Sequence, residues 1–537
     1  MHTLTRYFIL IVLIVFGSFT LPGDTPEDFL SKEFHQERRE QLRKLMPANS
    51  VAVFFANPVR NRANDVEFTY HQDPDFYYLT GYSEPHAMLL VFSTPQKAAS
   101  GETYNEILYV QPRNRQAEMW TGRRLGTEGA KNKLGFNMAY DDTEFANAPI
   151  DFSAFENIFF MPFYNDVRDE TREKGDLYDL IAQFKQKVNY PENYNTETHK
   201  LYDLIKQTKP ENSVNAAETI RRYQSYQEKL KDDKLLSEYG QAPDEQARQK
   251  VVEKIPALKI NGYKLETYMT TLRQTKTEAE LKLLRKAINI SAIAQIEVAK
   301  AMHPGMSEME VQGIHEFIYK KYGAEYEGYP TIVGAGNNGC VLHYIENNKT
   351  KLSTDLVLMD VGAEYHGYTA DVTRTIPASG KFSKEQKQIY ELVYQAQEAA
   401  FKMCVKDSAF RAPHNAAKAV INKGLKELGI IKDENERHSY FPHGTSHYLG
   451  LDVHDRGTYG PLQPGDVITV EPGIYIPEGS NCDKKWWGIA VRIEDDILIK
   501  EKGWENLSAM APRKAEEIEA LMAKKSVLNN LSLPKLD

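Results

Sequence analysis

Asp360, Asp371, His447, Glu471 and Glu494 are five residues of metal-ligand type, each set in an apolar, strand-like run in the last third of the chain. A carboxylate removed from water must be paired or must coordinate a metal, because the bare charge is too costly to bury. Four carboxylates and one imidazole suit a pair of hard or borderline divalent cations. The residue types therefore point first to two-metal hydrolytic chemistry.

Spacing supports that chemistry. Residues 356–361 (LVLMDV) and 368–376 (YTADVTRTI) read as two strands joined by a turn through 364–367. The midpoint between Asp360 and Asp371 falls between Tyr365 and His366, so a simple hairpin sets the aspartates opposite each other, with Cβ atoms about 4.5 to 5.5 Å apart. Like charges so placed call for a cation. Residues 467–476 (VITVEPGIYI) and 488–499 (GIAVRIEDDILI) each bury a glutamate in the same way. Glu471 precedes Pro472, which forces extended backbone there. Arg492 and Glu494, two apart on a strand, share a face where the arginine can orient the carboxylate. A structural salt bridge would explain that pair alone, but not Glu471. Two histidines four apart are ordinary in a core. Here His443, His447 and His454 crowd into 443–455 (HGTSHYLGLDVHD), and His343 follows the Gly-rich turn 334–339.

The elements that must position these residues begin near Lys276. Thr277 and Glu280 form a capping box opening a helix over 278–302, which Pro304 and Gly305 end. Hairpins and helices such as 384–405 follow, an α+β pattern with a largely antiparallel sheet. Upstream, residues 26–165 form a smaller α/β unit with a charged helix over 31–45 and strands at 51–56, 86–93 and 106–111. Residues 166–265 are rich in charge with apolar residues at helical spacing, a helical insert or linker whose charges read as a solvated face. The catalytic unit spans 270–510. The tail, 511–537, is expected to be one helix and then disordered.

The chain has 537 residues, 41% hydrophobic and 26% charged, as in ordinary globular proteins. A net charge of -9 offers no concentrated basic face, so no nucleic-acid partner is expected. Cys340, Cys404 and Cys482 are odd in number and far apart, which disfavours a zinc ribbon or a disulfide framework. Residues 1–22 read as a signal peptide, with Arg6 before an apolar run at 7–16 and then Gly17, Ser18 and Thr20. Export with a mature start between Thr20 and Thr25 is expected, an uncleaved membrane anchor being the alternative.

The strings around these residues resemble the aminopeptidase P (Xaa-Pro aminopeptidase) branch of the "pita-bread" metallopeptidases. They are YPTIVGAGNNGCVLHY at Tyr329, LMDVGAEYHGYTADVTRTIP at Leu358, HGTSHYLGLDVHD at His443, ITVEPGIY at Ile468 and VRIEDDILI at Val491. In the first unit NRANDVEFTYHQDPDFYYLTGYSEPHAML at Asn61 and EMWTGRRLG at Glu118 are similar too. The likeness covers nearly all of the chain except the leader, the helical insert and the tail; the leader and the insert depart from the bacterial pattern.

The resemblance implies that Asp360 binds one metal, Asp371 and Glu494 bridge both, and His447 and Glu471 bind the other. Manganese is the commonest metal of the family, with zinc and cobalt as alternatives. Glu471 would double as general base and proton shuttle, His343 and His454 would hydrogen-bond the substrate carbonyl or the tetrahedral intermediate, and Arg492 would steady Glu494. His443 would line the pocket beside the proline ring, with Tyr459 assisting. Trp120 and Arg123 would serve a subunit contact in a dimer or tetramer. The implied substrates are peptides with proline second, whose tertiary amide lacks an N–H and so defeats general aminopeptidases. Prolidase, which shares the metal site but cuts only dipeptides, is the rival reading, and an inactive peptide-binding relative a remoter one. Methionine aminopeptidase has no use for the first unit.

Overall fold

The computed structural model describes residues 26, 28–98, 100–169 and 174–530. Residues 1–22, read above as a signal peptide, and the expected mature start between Thr20 and Thr25 lie outside the described residues, as does the end of the tail. No helix among the described residues is long and apolar enough to cross a membrane.

The first unit is built on a six-stranded sheet. From one edge its order is Ala139–Asp141, Thr103–Val110, Met88–Lys97, Ser50–Phe55, Asn157–Phe160 and Ile260–Asn261. Ser50–Phe55 (SVAVFF) lies centrally because both its faces are apolar, antiparallel to Met88–Lys97 and parallel to Asn157–Phe160. Ser31 caps the helix Lys32–Leu45. The charged segment that follows divides in two. Helix Leu177–Lys187 packs Leu180 and Phe184 into the core of this sheet. Helices Thr196–Gln207, Ser213–Tyr226, Lys234–Gln241 and Glu245–Lys254 enclose a core of their own that includes Leu201, Ile205, Ile220, Leu236 and Val251. The chain then returns to the sheet as its sixth strand, Ile260–Asn261, parallel to Asn157–Phe160.

In the second unit the capping box of Thr277 and Glu280 opens the helix Glu278–Ala301. This helix, Glu308–Lys321, Lys384–Phe401 and Ala412–Glu427 accompany short antiparallel strands. The hairpin bearing the aspartates runs through Leu356–Val361, Ala363–Tyr365, Tyr368–Thr369 and Val372–Pro377. Its register differs from the simple one expected from the sequence. Tyr365 pairs with Tyr368 and Asp360 with Thr373, so Asp371 lies diagonally across from Asp360, not opposite it. The cause is the tight turn at His366 and Gly367, both at positive φ (50° and 85°), as a two-residue hairpin turn requires. The even offset keeps both aspartates on one face. Past residue 511 the helix Ala515–Met522 is docked, Ile518 and Leu521 joining the main core.

Candidate metal centre

Three of the four carboxylates sit where strands break. Asp371 lies between Tyr368–Thr369 and Val372–Pro377, Glu471 with Pro472 between Val467–Val470 and Gly473–Ile476, and Glu494 between Ile489–Arg492 and Asp495–Ile499. Asp360 lies within Leu356–Val361. The histidine loop joins as a further edge, Thr469 N–H donating to His447 O at 3.0 Å and Glu471 N–H to Thr445 O at 2.9 Å.

These breaks bring the five residues together. One ligand atom each from Asp371, His447 and Glu494 lie within 4.8 Å of one another. His447 Nε2 is 3.4 Å from Asp371 and 3.5 Å from Glu471. Its Nδ1 faces Tyr448 O at 3.0 Å, which fixes the tautomer that leaves Nε2 as a ligand. Burial first, and then the negative charge of neighbouring carboxylates, pushes Asp371 and Glu494 well above the usual carboxylate range. Asp360 is buried too, yet the Arg492 guanidinium and the Tyr329 hydroxyl hold it below that range. Tyr329 lies 2.6 Å from both Asp360 Oδ1 and Asp371 Oδ1. A phenol has one proton and cannot satisfy two carboxylates. A buried oxygen-rich cluster with one imidazole and too few protons or partners is the donor set that divalent cations fit.

Around the cluster lies a cavity of about 490 Å³ that all five residues line together with His343, His443, His454 and Arg492. Ile332, Leu342, Ile345 and Val453 give it an apolar wall. The rings of His447 and His454 are 4.5 Å apart. Burial, and then the neighbouring His447, lower the pKa of His454. Burial likewise lowers that of His443.

Two sequence-based expectations are corrected. Arg492 does not hydrogen-bond Glu494: its Nη2 donates to Asp360 at 2.5 Å and its Nη1 to Tyr475 at 2.8 Å. Glu494 is reached through Thr373, whose hydroxyl donates to Glu494 at 2.5 Å while accepting from Arg492 Nε at 3.3 Å. The strand ends at Arg492, so the pleat that would align the two side chains does not continue to Glu494. Tyr459, expected at the pocket, is absent from its lining; it is 57% exposed and packs edge-on against Phe410 and Tyr448.

Sequence reasoning missed Tyr329, Thr373 and Tyr475. Tyr475 joins Arg492 to His443 Nε2, 2.7 Å from its hydroxyl. Both tyrosines stand beside motif residues, Tyr329 before Pro330 and Tyr475 after Pro472 and Gly473. That adjacency was the available signal.

The profile of "Aminopeptidase P, N-terminal domain" matches residues 35–153, and that of "Metallopeptidase family M24" matches residues 282–501. The Xaa-Pro aminopeptidase of Escherichia coli (strain K12) is 33% identical over 506 residues, spanning 92% of this chain and 98% of the relative. The chain belongs to metallopeptidase family M24. The Xaa-Pro aminopeptidase of Haemophilus influenzae is 32% identical to this M24 chain over 507 residues, again 92% of it and 98% of the relative. Among solved structures, E. coli aminopeptidase P with the inhibitor Pro-Leu superposes with a TM-score of 0.71 at 31% identity, covering 92% of this chain and 98% of that one. Pseudomonas aeruginosa aminopeptidase PepP gives the same values. The second unit therefore has the pita-bread fold of M24, preceded by the aminopeptidase P N-terminal domain. As an M24 metallopeptidase the chain works with divalent metal ions; Asp371, His447 and Glu494 offer closely grouped donor atoms that fit such ions, and Asp360 and Glu471 line the same cavity.

Proposed function

We propose that the protein is a manganese-dependent Xaa-Pro aminopeptidase that releases the first residue from peptides with proline second. One observation carries the reading: five ligand-type residues and three further histidines converge on a single cavity, in a chain 33% identical to the E. coli Xaa-Pro aminopeptidase over nearly all of that relative's length. Two divalent cations in such a site polarise the scissile carbonyl and make water nucleophilic near neutral pH.

The chain's own groups do the rest. Glu471, at the cavity and 3.5 Å from His447, takes the proton of the attacking water and delivers it to the departing proline nitrogen. His343 and His454 donate hydrogen bonds to the carbonyl oxygen as negative charge develops there. Burial favours the neutral form of His454, which still has a ring N–H to donate. His443, held by Tyr475, and the apolar wall suit the proline ring. Arg492 and Tyr329 keep Asp360 ionised and oriented. Trp120, 87% exposed on a short helix with no buried residue, suits a subunit contact with Arg123 in a dimer or tetramer. The leader supports export.

Metal-free enzyme reconstituted with Mn²⁺ is expected to cleave Ala-Pro-Ala and to leave Ala-Ala-Ala intact. Equal cleavage of the two would overturn the assignment, and efficient cleavage of Ala-Pro with Ala-Pro-Ala untouched would make the enzyme a prolidase. Mass mapping of the native N-terminus tests the leader. A start between Thr20 and Thr25 supports export, and an intact Met1 in the cytoplasm refutes it.

A further inference from the structure

Two glutamines are buried in the helices behind the ligand-bearing strands. Gln295 belongs to Glu278–Ala301 and Gln397 to Lys384–Phe401. Gln295 Nε2 donates to Met359 O at 3.1 Å and Val372 O at 2.9 Å. Met359 immediately precedes Asp360, and Val372 immediately follows Asp371. Gln397 Nε2 donates to Val470 O at 3.0 Å and Ile493 O at 3.1 Å. These residues immediately precede Glu471 and Glu494. Two amides thus hold the four carbonyls next to the four carboxylates, two carboxylates to each glutamine.

The strand breaks explain why donors are needed there. The pairing of Val467–Val470 with Asp495–Ile499 ends at Val470 and Asp495, and resumes in the same register at Gly473 and Arg492 after two unpaired residues on each strand. Within this interruption Pro472 has no N–H to give, and buried carbonyls at such a place must find other donors. A primary amide has two N–H groups on one nitrogen and so can tie two carbonyls of adjacent strands together. Gln397 is itself oriented by Arg513, which donates to its Oε1 at 2.9 Å, and its Nε2 also reaches Asp495 at 2.9 Å. Gln295 Oε1 has no hydrogen-bond partner, so its amide is turned by the two carbonyls alone.

We propose that Gln295 and Gln397 are positioning residues, each fixing the separation of one pair of carboxylates, Asp360 with Asp371 and Glu471 with Glu494, and so setting the affinity of the centre for its cations. The inference rests on the reading of this cluster as a metal centre. An apolar side chain of equal length would fill the space, but would remove the tie between the two carbonyls and let the two strands shift, carrying the carboxylates with them.

The test is a calorimetric titration with Mn²⁺ of the chelator-treated full-length protein, as wild type, Gln295→Met and Gln397→Met. Ile421→Ala, at a buried position of the helix Ala412–Glu427, serves as the control for lost stability. Each methionine variant is expected to bind Mn²⁺ about 10- to 100-fold more weakly, the range for lost outer-sphere support of a metal site, while the control keeps wild-type affinity despite a lower Tm. Methionine variants that melt earlier but bind Mn²⁺ as tightly as wild type would overturn the proposal and leave the glutamines as core packing. Should a methionine variant not fold, Gln→Asn at the same position keeps the amide but is one methylene too short to span both carbonyls, and is held to the same comparison. If the wild type takes up no Mn²⁺, the metal-centre reading fails and this inference with it; uptake by wild type with unchanged variants sinks the inference alone.

Discussion

Individual side chains in the centre are set by how their charges are shared. Asp371 is bordered by Asp360, Asp496 and Glu471, so it depends on cations more than Asp360, which has Arg492. Asp371→Asn is therefore expected to lose tight metal binding and nearly all activity. His454→Ala should retain its metals and lose about 10² to 10³ in kcat, the size of a lost transition-state donor. Metal analysis of the two purified variants checks the contrast, and equal metal content would contradict it. Away from the site, His35 and His315 are buried with pKa values lowered to about 4. Desolvation is the main cause. Between that value and about 6.5 the unfolded chain binds protons that the folded chain does not, so stability rises with pH across this window and falls on acidification. His315→Phe should flatten the slope of unfolding free energy against pH by up to about 1.4 kcal/mol per unit. Urea titrations at pH 4.5, 5.5 and 6.5 measure it.

At the scale of elements, the site depends on places where regular structure stops. The His366–Gly367 turn sets the hairpin register, and a Cβ on Gly367 would meet Leu451 and Tyr77 at 3.1 Å with φ at 85°. Gly367→Ala is expected to destabilise the protein by about 1 to 3 kcal/mol, the cost of a strained backbone position, read as a drop in Tm. The loop that carries His343 is anchored differently. Glu308, at the start of helix Glu308–Lys321, is fully buried and accepts from Ala335 N–H at 2.7 Å, Lys349 N–H at 2.8 Å and Tyr344 Oη at 3.0 Å. One carboxylate thus closes both ends of the segment around His343. Glu308→Ala should lower kcat at least tenfold by releasing that segment, since misplacement by about 1 Å can cost 10²-fold. Metal content should be unchanged, because no ligand lies on the loop; steady-state kinetics with metal analysis tests both halves.

Across the whole molecule, the N-terminal unit is tied to the catalytic one by buried charge. Arg273 bridges Asp75 of the first unit, at 2.6 Å, and Asp455, which also accepts from Lys276 at 2.9 Å. Arg456 adds a second link to Asp75 at 2.7 Å. Asp455 follows His454 directly, so the first unit helps to fix a histidine proposed to touch substrate. Removing one partner of a buried network leaves uncompensated charge and costs about 3 to 5 kcal/mol. Asp75→Ala is expected to lose stability on that scale and to lower kcat, although it is remote from the metals. Denaturation and kinetics on the same preparation check it. A stability loss with unchanged kcat would show that the tie holds the units together without aligning His454.

The sequence alone singled out five residues that the structure brings to one cavity, because a carboxylate inside an apolar strand has few tolerable fates, and the motif strings carry that pattern from residue 329 to 499. It also determined the capped helix at Thr277, which is local chemistry, and the α+β class. Tertiary structure decided what neutral or distant partners do. Tyr329, Thr373, Tyr475, Gln295 and Gln397 are of types that occur in any core, and only the fold shows that their hydroxyls and amides meet the carboxylates or the groups next to them. It decided the hairpin register as well, since positive φ at a turn residue such as His366 leaves no composition signal. The same holds for Arg492, whose partner is Asp360, 132 residues away, and not Glu494 two residues on. Charges pair with whatever packing brings near, and a broken strand removes the periodicity from which nearness could have been read.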